Sequence, residues 1–437
     1  MINYDPLSKK THKIGMHNLS TIGLYWFRRD LRLTDNPSFN QLAEQVDKLV
    51  CVYVHDQDKE TQSQLIDAQT PSFKQNFEQQ SVVALASALK QKNQQLIIVD
   101  TPAIEALCEL IKRYAVTHVG VDSHPGVNET KAVKALQKAY PNVEFIIGSG
   151  HTLFSVDDLP FTLDDLPATF TPFRKKVESC HIAKPLDCLK ILPAPLGELK
   201  QVSVSTSPSD LVKGGEAAAL SQLNTYLFVT DKVKEYKQTR NQLDDWPSSS
   251  KLSFWLANGC LSVKTVYQSL KDYEAQRGAN ESTYWLYFEL LWREYFQWYL
   301  VKHKDRLFHF NGVKQQAPKS RFDQQQFTRW CEGMTDFPIV NACMRQLNQT
   351  GYMSNRGRQL VASCFVHELN LDWRYGAAYF ERQLIDYDVA SNWGNWQYLA
   401  GVGADPRGHR QFDLEKQASI YDPQSAFRRK WLGSDDR

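Results

Sequence analysis

Five short apolar runs rich in β-branched residues punctuate the first 150 positions: "TIGLYWF" (21–27), "KLVCVYV" (48–54), "QLIIVD" (95–100), "THVGVD" (117–122) and "VEFIIG" (143–148). Between several of them lie helical patterns, such as residues 71–93 and 103–115. Strand and helix in alternation leave few solutions, and the simplest is a set of βαβ units closing into a parallel sheet. Such a sheet takes ligands at the carboxyl ends of its strands. The region holds neither G-x-G-x-x-G nor G-x-x-x-x-G-K-[ST], so a dinucleotide or nucleoside triphosphate reading has little behind it.

The alternation then stops. Residues 151–225 are Pro-rich, with a Ser-rich piece at 201–210, and read as a long connector wrapped over the surface. From about 216 the pattern is helical, without convincing strands. "STYWLYFELLWREYFQWYLVKH" (282–303) is apolar on most sides and predicts a buried helix, and residues 355–369 carry helical spacing. Ten of the eleven Trp lie after position 240, so the two halves do different work. The expected organisation is a loose extension (1–20), an α/β domain with a five-stranded parallel sheet (21–150), a connector (151–225) and an all-α domain (226–437).

Composition narrows the function classes. At 437 residues the chain can hold two or three domains with large cores. A net charge of +2 does not mark a nucleic-acid binder, so any basic groove is local. The eight Cys include no C-x-x-C pair, which argues against a zinc site or a disulfide scaffold and fits a reducing, cytoplasmic setting. No metal and no membrane span are expected.

Four stretches of the helical half bear chemistry. Ser248, Ser249, Ser250 and Ser253, with Lys251, either cap a helix or cradle a phosphate at its start. Glu289 and Arg293 in "ELLWREYF" read, on their own, as an i,i+4 salt bridge worth a few tenths of a kcal/mol. "GYMSNRGRQ" (351–359) puts Arg356 and Arg358 in the first turn of a helix, where the dipole disfavours cations, so something negative lies nearby. Asp386 is the candidate, since a buried Arg–Asp pair leaves neither ion unmatched. Asp388 stands two residues on, beside Asn392 and two Trp.

Together, "GLYWFRRDLRLTDNP" (23–37), "ELLWREYF" (289–296), "GYMSNRGRQ", "LDWR" (371–374), "IDYDVASNWGNWQYLAGVG" (385–403) and "YDP" (421–423) resemble the photolyase/cryptochrome flavoproteins, from about residue 21 to about 431. The wording is that of the cryptochrome-DASH branch, which carries Gln at 359 and Tyr at 398 where ordinary cyclobutane-dimer photolyases have Met and Trp. The resemblance implies a light-driven enzyme with U-shaped FAD in the helical domain. Tyr236 and Ser249, Ser250, Lys251, Leu252 and Ser253 would hold the FAD phosphates, and Arg293 would lie on the cofactor. Arg358 and Asp386 would pair against the isoalloxazine, Asp388 would contact its polar edge, and Asn392 would face its N5. The substrate would be a pyrimidine dimer of UV-damaged DNA, flipped out of the stack. Glu289 would bond its carbonyls, Trp292 would pack on its bases, and Arg356 would bind the adjacent phosphate. Asn355 would sit between flavin and substrate, with Gln359 and Tyr398 completing the pocket. Glu289, Asn355 and Asn392 are the expected catalytic residues. Excited FADH⁻ would donate one electron, the cyclobutane ring would split, and the electron would return. Tyr in place of Trp thins the stacking surface, which makes single-stranded DNA, already unpaired, the preferred substrate. The resemblance also implies an antenna in the α/β domain, 5,10-methenyltetrahydrofolate, contacted by Glu129 of "VNET" (127–130), and a monomer with no obligate protein partner.

One departure bears on mechanism. Family members usually pass electrons to the flavin through three Trp. Trp396 and Trp373 match the first two, but the third position is Ser320, ten residues before Trp330. Photoreduction is then either slow or routed through Tyr375, Tyr379 or Trp330. Smaller departures, Leu252 and Phe254, alter packing near the phosphates. The alternative function is a blue-light photoreceptor with little repair. The sequence after "FRRKWLGSDDR" leaves no room for the long tail that signalling members often carry, which favours the enzyme.

Overall fold

A computed structural model describes residues 20–55, 65–66, 70–196, 211–407 and 410–433. The expected N-terminal extension, apart from Ser20, and the Ser-rich piece at 201–210 lie outside these residues.

The alternating segment becomes β1 (Ile22–Phe27), α1 (Pro37–Gln45), β2 (Lys48–Val54), α2 (Ser72–Gln91), β3 (Leu96–Val99), α3 (Ala103–Tyr114), β4 (His118–Asp122), α4 (Val127–Ala139) and β5 (Glu144–Gly148). The strands are parallel in the order β3-β2-β1-β4-β5, with the reversal beside β1. Side chains alternate between the two faces. Leu24, Trp26, Val50 and Val52 pack under α3 and α4 against Leu107, Ile111 and Leu136. Tyr25, Phe27, Cys51 and Tyr53 point the other way, to Phe39 and Leu42 of α1 and to Leu85 and Leu89 of α2. The expected five strands gain a sixth: β6 (Ala194–Pro195), from the connector, pairs with the start of β2. A two-residue strand on an edge tolerates its proline.

The connector does more than cover a surface. Leu153, Phe154, Phe173 and Val177 are at most 1% exposed. Its short helix α5 (Phe170–Val177) lays Phe170 flat on Trp292, with ring centroids 3.8 Å apart. Buried Glu294 explains the path. Its carboxylate accepts the N–H groups of Leu153 (2.8 Å) and Phe154 (3.3 Å) and the Trp298 indole (2.7 Å).

The remaining described residues form helices: α6 (Glu216–Asn224), α7 (Tyr236–Thr239), α8 (Ser253–Asn258), α9 (Val263–Arg277), α10 (Glu281–His303), α11 (Gln324–Glu332), α12 (Pro338–Thr350), α13 (Asn355–Ser363), α14 (Trp373–Gln383), α15 (Val389–Leu399), α16 (Leu414–Tyr421) and α17 (Ala426–Leu432). α10 is the expected buried helix. Asn280 starts it by accepting the N–H groups of Ser282 (2.8 Å) and Thr283 (2.9 Å), while Thr283 accepts the Asn280 N–H in return. The helix expected over 355–369 is α13 followed by a π-turn, Cys364–Glu368. Among the described residues no helix is long and apolar enough to cross a membrane.

The two halves share one core. The Tyr25 face of the sheet runs on without a break into the helical half, where Phe77 of α2 meets Phe254 and Trp255. The loop after β1 clasps them together. Arg32, 2% exposed, donates to the carbonyls of Gly259 (2.9 Å), Gly150 (2.9 Å) and Asp35 (2.8 Å). Glu216 accepts the N–H groups of Leu33 and Thr34, both at 3.0 Å, and Asp35 accepts the Ser262 hydroxyl. Gly259 sits at φ +74°, and a Cβ there would lie 1.8 Å from the Arg29 carbonyl oxygen. Gly259→Ala should therefore cost about 2–4 kcal/mol, from left-handed backbone strain plus overpacking. Urea unfolding checks this, and an unchanged midpoint would mean that the Arg29 segment moves aside freely.

Candidate active site

α13, α14 and α15 converge on a cavity whose wall includes Asn355, Arg358, Gln359, Asp386, Asp388, Asn392, Trp396 and Tyr398, eight of the residues singled out in the sequence. Two helix starts set the geometry. Ser354 caps α13 by accepting the Gly357 N–H at 3.1 Å, which turns Arg358 and Gln359 inward. Asp388 caps α15 by accepting the Ser391 N–H at 2.7 Å, which places Asn392 and Trp396 on the cavity side. Asn392 is fixed by donating to the Ala377 carbonyl at 3.0 Å. α14 approaches α15 closely because residue 376 is Gly, since a Cβ there would meet the Trp396 ring at 2.3 Å.

The negative charge sought near the α13 arginines is Asp386. Arg358 Nη2 donates to both its oxygens, at 2.9 and 2.8 Å, and Arg358 Nε donates to the Met353 carbonyl at 2.9 Å. The Asp386 side chain is 1% exposed, so the pair spares a buried carboxylate from standing unmatched. Asp388 is held differently. Gln297 of α10 donates to both its oxygens (3.0 and 3.1 Å), and His151 Nε2 lies 3.7 Å away. Arg293 donates to the His151 carbonyl at 2.8 Å and lies 3.1 Å from His151 Nε2. Burial alone would raise the Asp388 carboxyl, but His151, the Arg293 charge and the Ser391 N–H hold it well below the usual carboxylate range. Burial pushes His151 down, and the Arg293 charge adds to it.

The octapeptide reading of Glu289 and Arg293 needs correction. Glu289 pairs with Arg240 at the end of α7, and Arg293 turns to His151. Both take partners far along the chain instead of the neighbour one turn away. Burial raises the Glu289 carboxyl, and Arg240 offsets this only in part. Arg240 also lies over the Trp285 ring, 5.3 Å from its centroid. Trp292 connects this region to the cavity through an edge contact with Tyr398 at 5.9 Å. Arg356 stands over the Tyr421 ring (4.7 Å) and donates to Asn241 (3.2 Å). Among the described residues, Gln359 Oε1, Arg356 Nε and Trp285 Nε1 are buried here without a hydrogen-bond partner.

The Ser-rich stretch lies behind the ion pair and outside the cavity wall. Lys251, at φ +58° and 5% exposed, donates to Ser249 Oγ at 2.8 Å and stands over the Tyr352 ring at 5.2 Å. Burial lowers its ammonium to about 8. Ser250 Oγ accepts the Leu252 N–H at 3.5 Å, and Ser253 opens α8, which is only six residues long. Tyr236 is buried at the start of α7. Leu252 and Phe254 are both core. Glu129, in the first turn of α4, lies 3.6 Å from His124 Nδ1, and its Oε2 is buried without a partner. Trp373 packs on Trp393 at 5.8 Å and bonds the Phe310 carbonyl, away from the cavity wall.

Reading the sequence missed His151, Gln297, Arg240 and Arg410, the last of which lines the cavity and covers the Tyr398 ring at 4.5 Å. His151, Gln297 and Arg240 act across long sequence separations, which leave no local pattern, while Arg410 pairs with nearby Asp405 in a stretch that carries no recognisable motif. The stability contribution of Asp388 has a defined pH window. A depressed carboxyl stabilises above its unfolded value of about 3.9, and that contribution is lost as pH falls through the native value. Asp388→Asn should unfold at lower urea than the natural protein at pH 7, with the gap narrowing toward pH 3.5. A gap independent of pH would mean that Asp388 acts only as a neutral acceptor.

Comparison with known proteins identifies the family. Residues 23–195 match the DNA photolyase family model, and residues 285–434 match the FAD binding domain of DNA photolyase. A cryptochrome DASH of Idiomarina loihiensis is 49% identical over 420 residues, covering 94% of this chain and 93% of its own. One of Vibrio parahaemolyticus is 50% identical over 421 residues, covering 95% and 94%. Among solved structures, Synechocystis sp. PCC6803 cryptochrome superposes with a TM-score of 0.89 at 37% identity over 95% of this chain and 89% of that one. A class III photolyase from Agrobacterium tumefaciens gives 0.82 at 28% identity, covering 96% and 88%. With both family domains in order and half of its residues shared with relatives along nearly their whole length, this chain belongs to the photolyase/cryptochrome family, in its cryptochrome DASH branch.

Proposed function

We propose that the protein is a light-driven lyase that splits cyclobutane pyrimidine dimers in DNA, preferring single strands, with residues 226–437 as its catalytic domain. The observation that carries the reading is one cavity with two kinds of wall. One kind is the Arg358–Asp386 pair with Asp388 and Asn392, and the other is Tyr398, whose ring meets that of Trp292, a residue one turn from Glu289 on α10.

The first wall fits a flavin. It offers a guanidinium, carboxylates and amides around the apolar surface of Trp396, Phe380 and Leu399. Bound FAD, once reduced, supplies the light-driven one-electron chemistry. The protein holds and orients it. Arg358, itself fixed by Asp386, would present a positive group to the ring, Asp388 would accept from its N–H edge, and Asn392 would face N5. Lys251, Ser249, Ser250, Leu252, Ser253 and Tyr236 would take the phosphate side, and Arg293, which holds His151, would lie on the cofactor. An unpartnered Gln359 Oε1 is open to a donor on either the cofactor or a base.

The second wall receives the flipped dimer. Glu289, with its carboxyl raised, hydrogen-bonds the base carbonyls once Arg240 gives way, Trp292 and Tyr398 supply stacking faces, and Asn355 bridges toward the cofactor. Arg356 meets the neighbouring phosphate. In the α/β domain the unpartnered Glu129 Oε2 suits the amino edge of a folate antenna, 5,10-methenyltetrahydrofolate.

The test is repair of oligo(dT) carrying a cyclobutane dimer, single- and double-stranded, by reduced protein in blue light. Repair confined to single strands supports the reading. Bound flavin without repair of either form overturns it in favour of a photoreceptor. Tyr398→Trp should restore stacking surface worth about 1 kcal/mol, raising affinity for a duplex dimer about fivefold. Equal duplex affinity in both proteins would show that Tyr398 does not set strand preference.

A further inference from the structure

We propose that electrons reach the cavity through a relay this chain builds from Trp396, Trp330 and Tyr379. The relay rests on the flavin reading above, because it needs a light-excited, oxidised flavin as the one-electron acceptor.

The expected three-Trp route is broken at its outer end. Ser320 has no oxidisable group, and its hydroxyl is buried without a partner. Trp373, fully buried, leans on Trp393. On the other side of Trp396, redox-active rings do continue to the surface. Trp396 lines the cavity, and its ring centroid lies 6.2 Å from that of Trp330. Trp330 is 0% exposed and held by its indole N–H on the Val361 carbonyl at 3.1 Å. Tyr379 is 5.6 Å beyond, half-buried, with its phenol donating to Asn348 Oδ1 at 2.6 Å. Tyr375 is a poorer terminus, because its ring contacts are Phe327 (5.8 Å) and Phe322 (4.0 Å), both far harder to oxidise. Burial raises the Tyr379 phenol, so it carries its proton until it is oxidised.

The balance closes. Trp396 gives one electron to the acceptor, Trp330 refills Trp396, and Tyr379 refills Trp330. As Tyr379 loses its electron, its O–H bond breaks and the proton passes to water at this half-exposed edge. A neutral tyrosyl radical is left. An external thiol then returns one electron and one proton to it.

The experiment uses the full-length protein with its flavin. Electron paramagnetic resonance under illumination reads the radical, and flavin absorbance with thiol present reads photoreduction yield. Tyr379→Phe keeps the ring volume, so the fold and flavin content should be unchanged. The tyrosyl signal should vanish and the yield should fall about tenfold. Trp330→Phe should do the same, and Ser320→Trp in the Tyr379→Phe background should recover yield without the tyrosyl signal. A tyrosyl signal that survives Tyr379→Phe, or a yield unchanged in both single variants at equal flavin content, overturns the relay alone. Purified natural protein with no flavin absorbance overturns the cofactor reading and the relay with it.

Discussion

Asp386 is a carboxylate sunk below the surface, and a charge in that position must be matched or neutralised. Much of the rest of the structure follows from that requirement applied repeatedly. Arg358 matches Asp386 and so ties α13 to the loop before α15. Gln297 and the His151–Arg293 pair surround Asp388 and so tie the connector and α10 to α15. Glu294 anchors the connector again, and Arg32, Asp35 and Glu216 bind the α/β half to the helical half. Each group is costly alone and inexpensive with its partners, so the partners cannot drift. The apolar packing gives the halves their cohesion, and the buried charges select one arrangement of them.

These same tethers explain why acids and tryptophans share one short segment near residue 390. The acids fix backbone by capping and pairing, and the rings that follow them are thereby aimed. Asp388 caps α15, and Trp396 comes two turns later on the cavity side. A cofactor held between them meets fixed dipoles and fixed rings together. Across the interface, His124 of the α/β half meets the His151 ring with centroids 4.9 Å apart, and burial lowers both imidazoles. Glu129 beside His124 and Asp388 beside His151 are thus linked through two imidazole rings.

What could be read from the sequence divides along the range of the interactions. Periodicity is local, and the parallel sheet, α10 and α13 were visible in it. The dipole argument was local too, and it pointed from Arg358 to a nearby anion. Pairings over long separations left no such trace. Glu289 and Arg293 have the spacing of a helical salt bridge, yet Arg240 and His151 claim them. β6 is two residues long and exists only because β2 offers it an edge. The connector looks like surface by composition, but a buried glutamate beyond five intervening α-helices draws it inward.

The unbroken apolar face from the sheet to the helical half has a further consequence. Phe77 of α2 packs on Phe254 and Trp255 of α8 within the same core that covers one face of the sheet, so neither half has a complete exterior of its own. Pulled apart, each would show the other a sticky wall. The two family domains recognisable in this chain therefore share one core, and either of them alone would need a new skin over the face it now buries against the other.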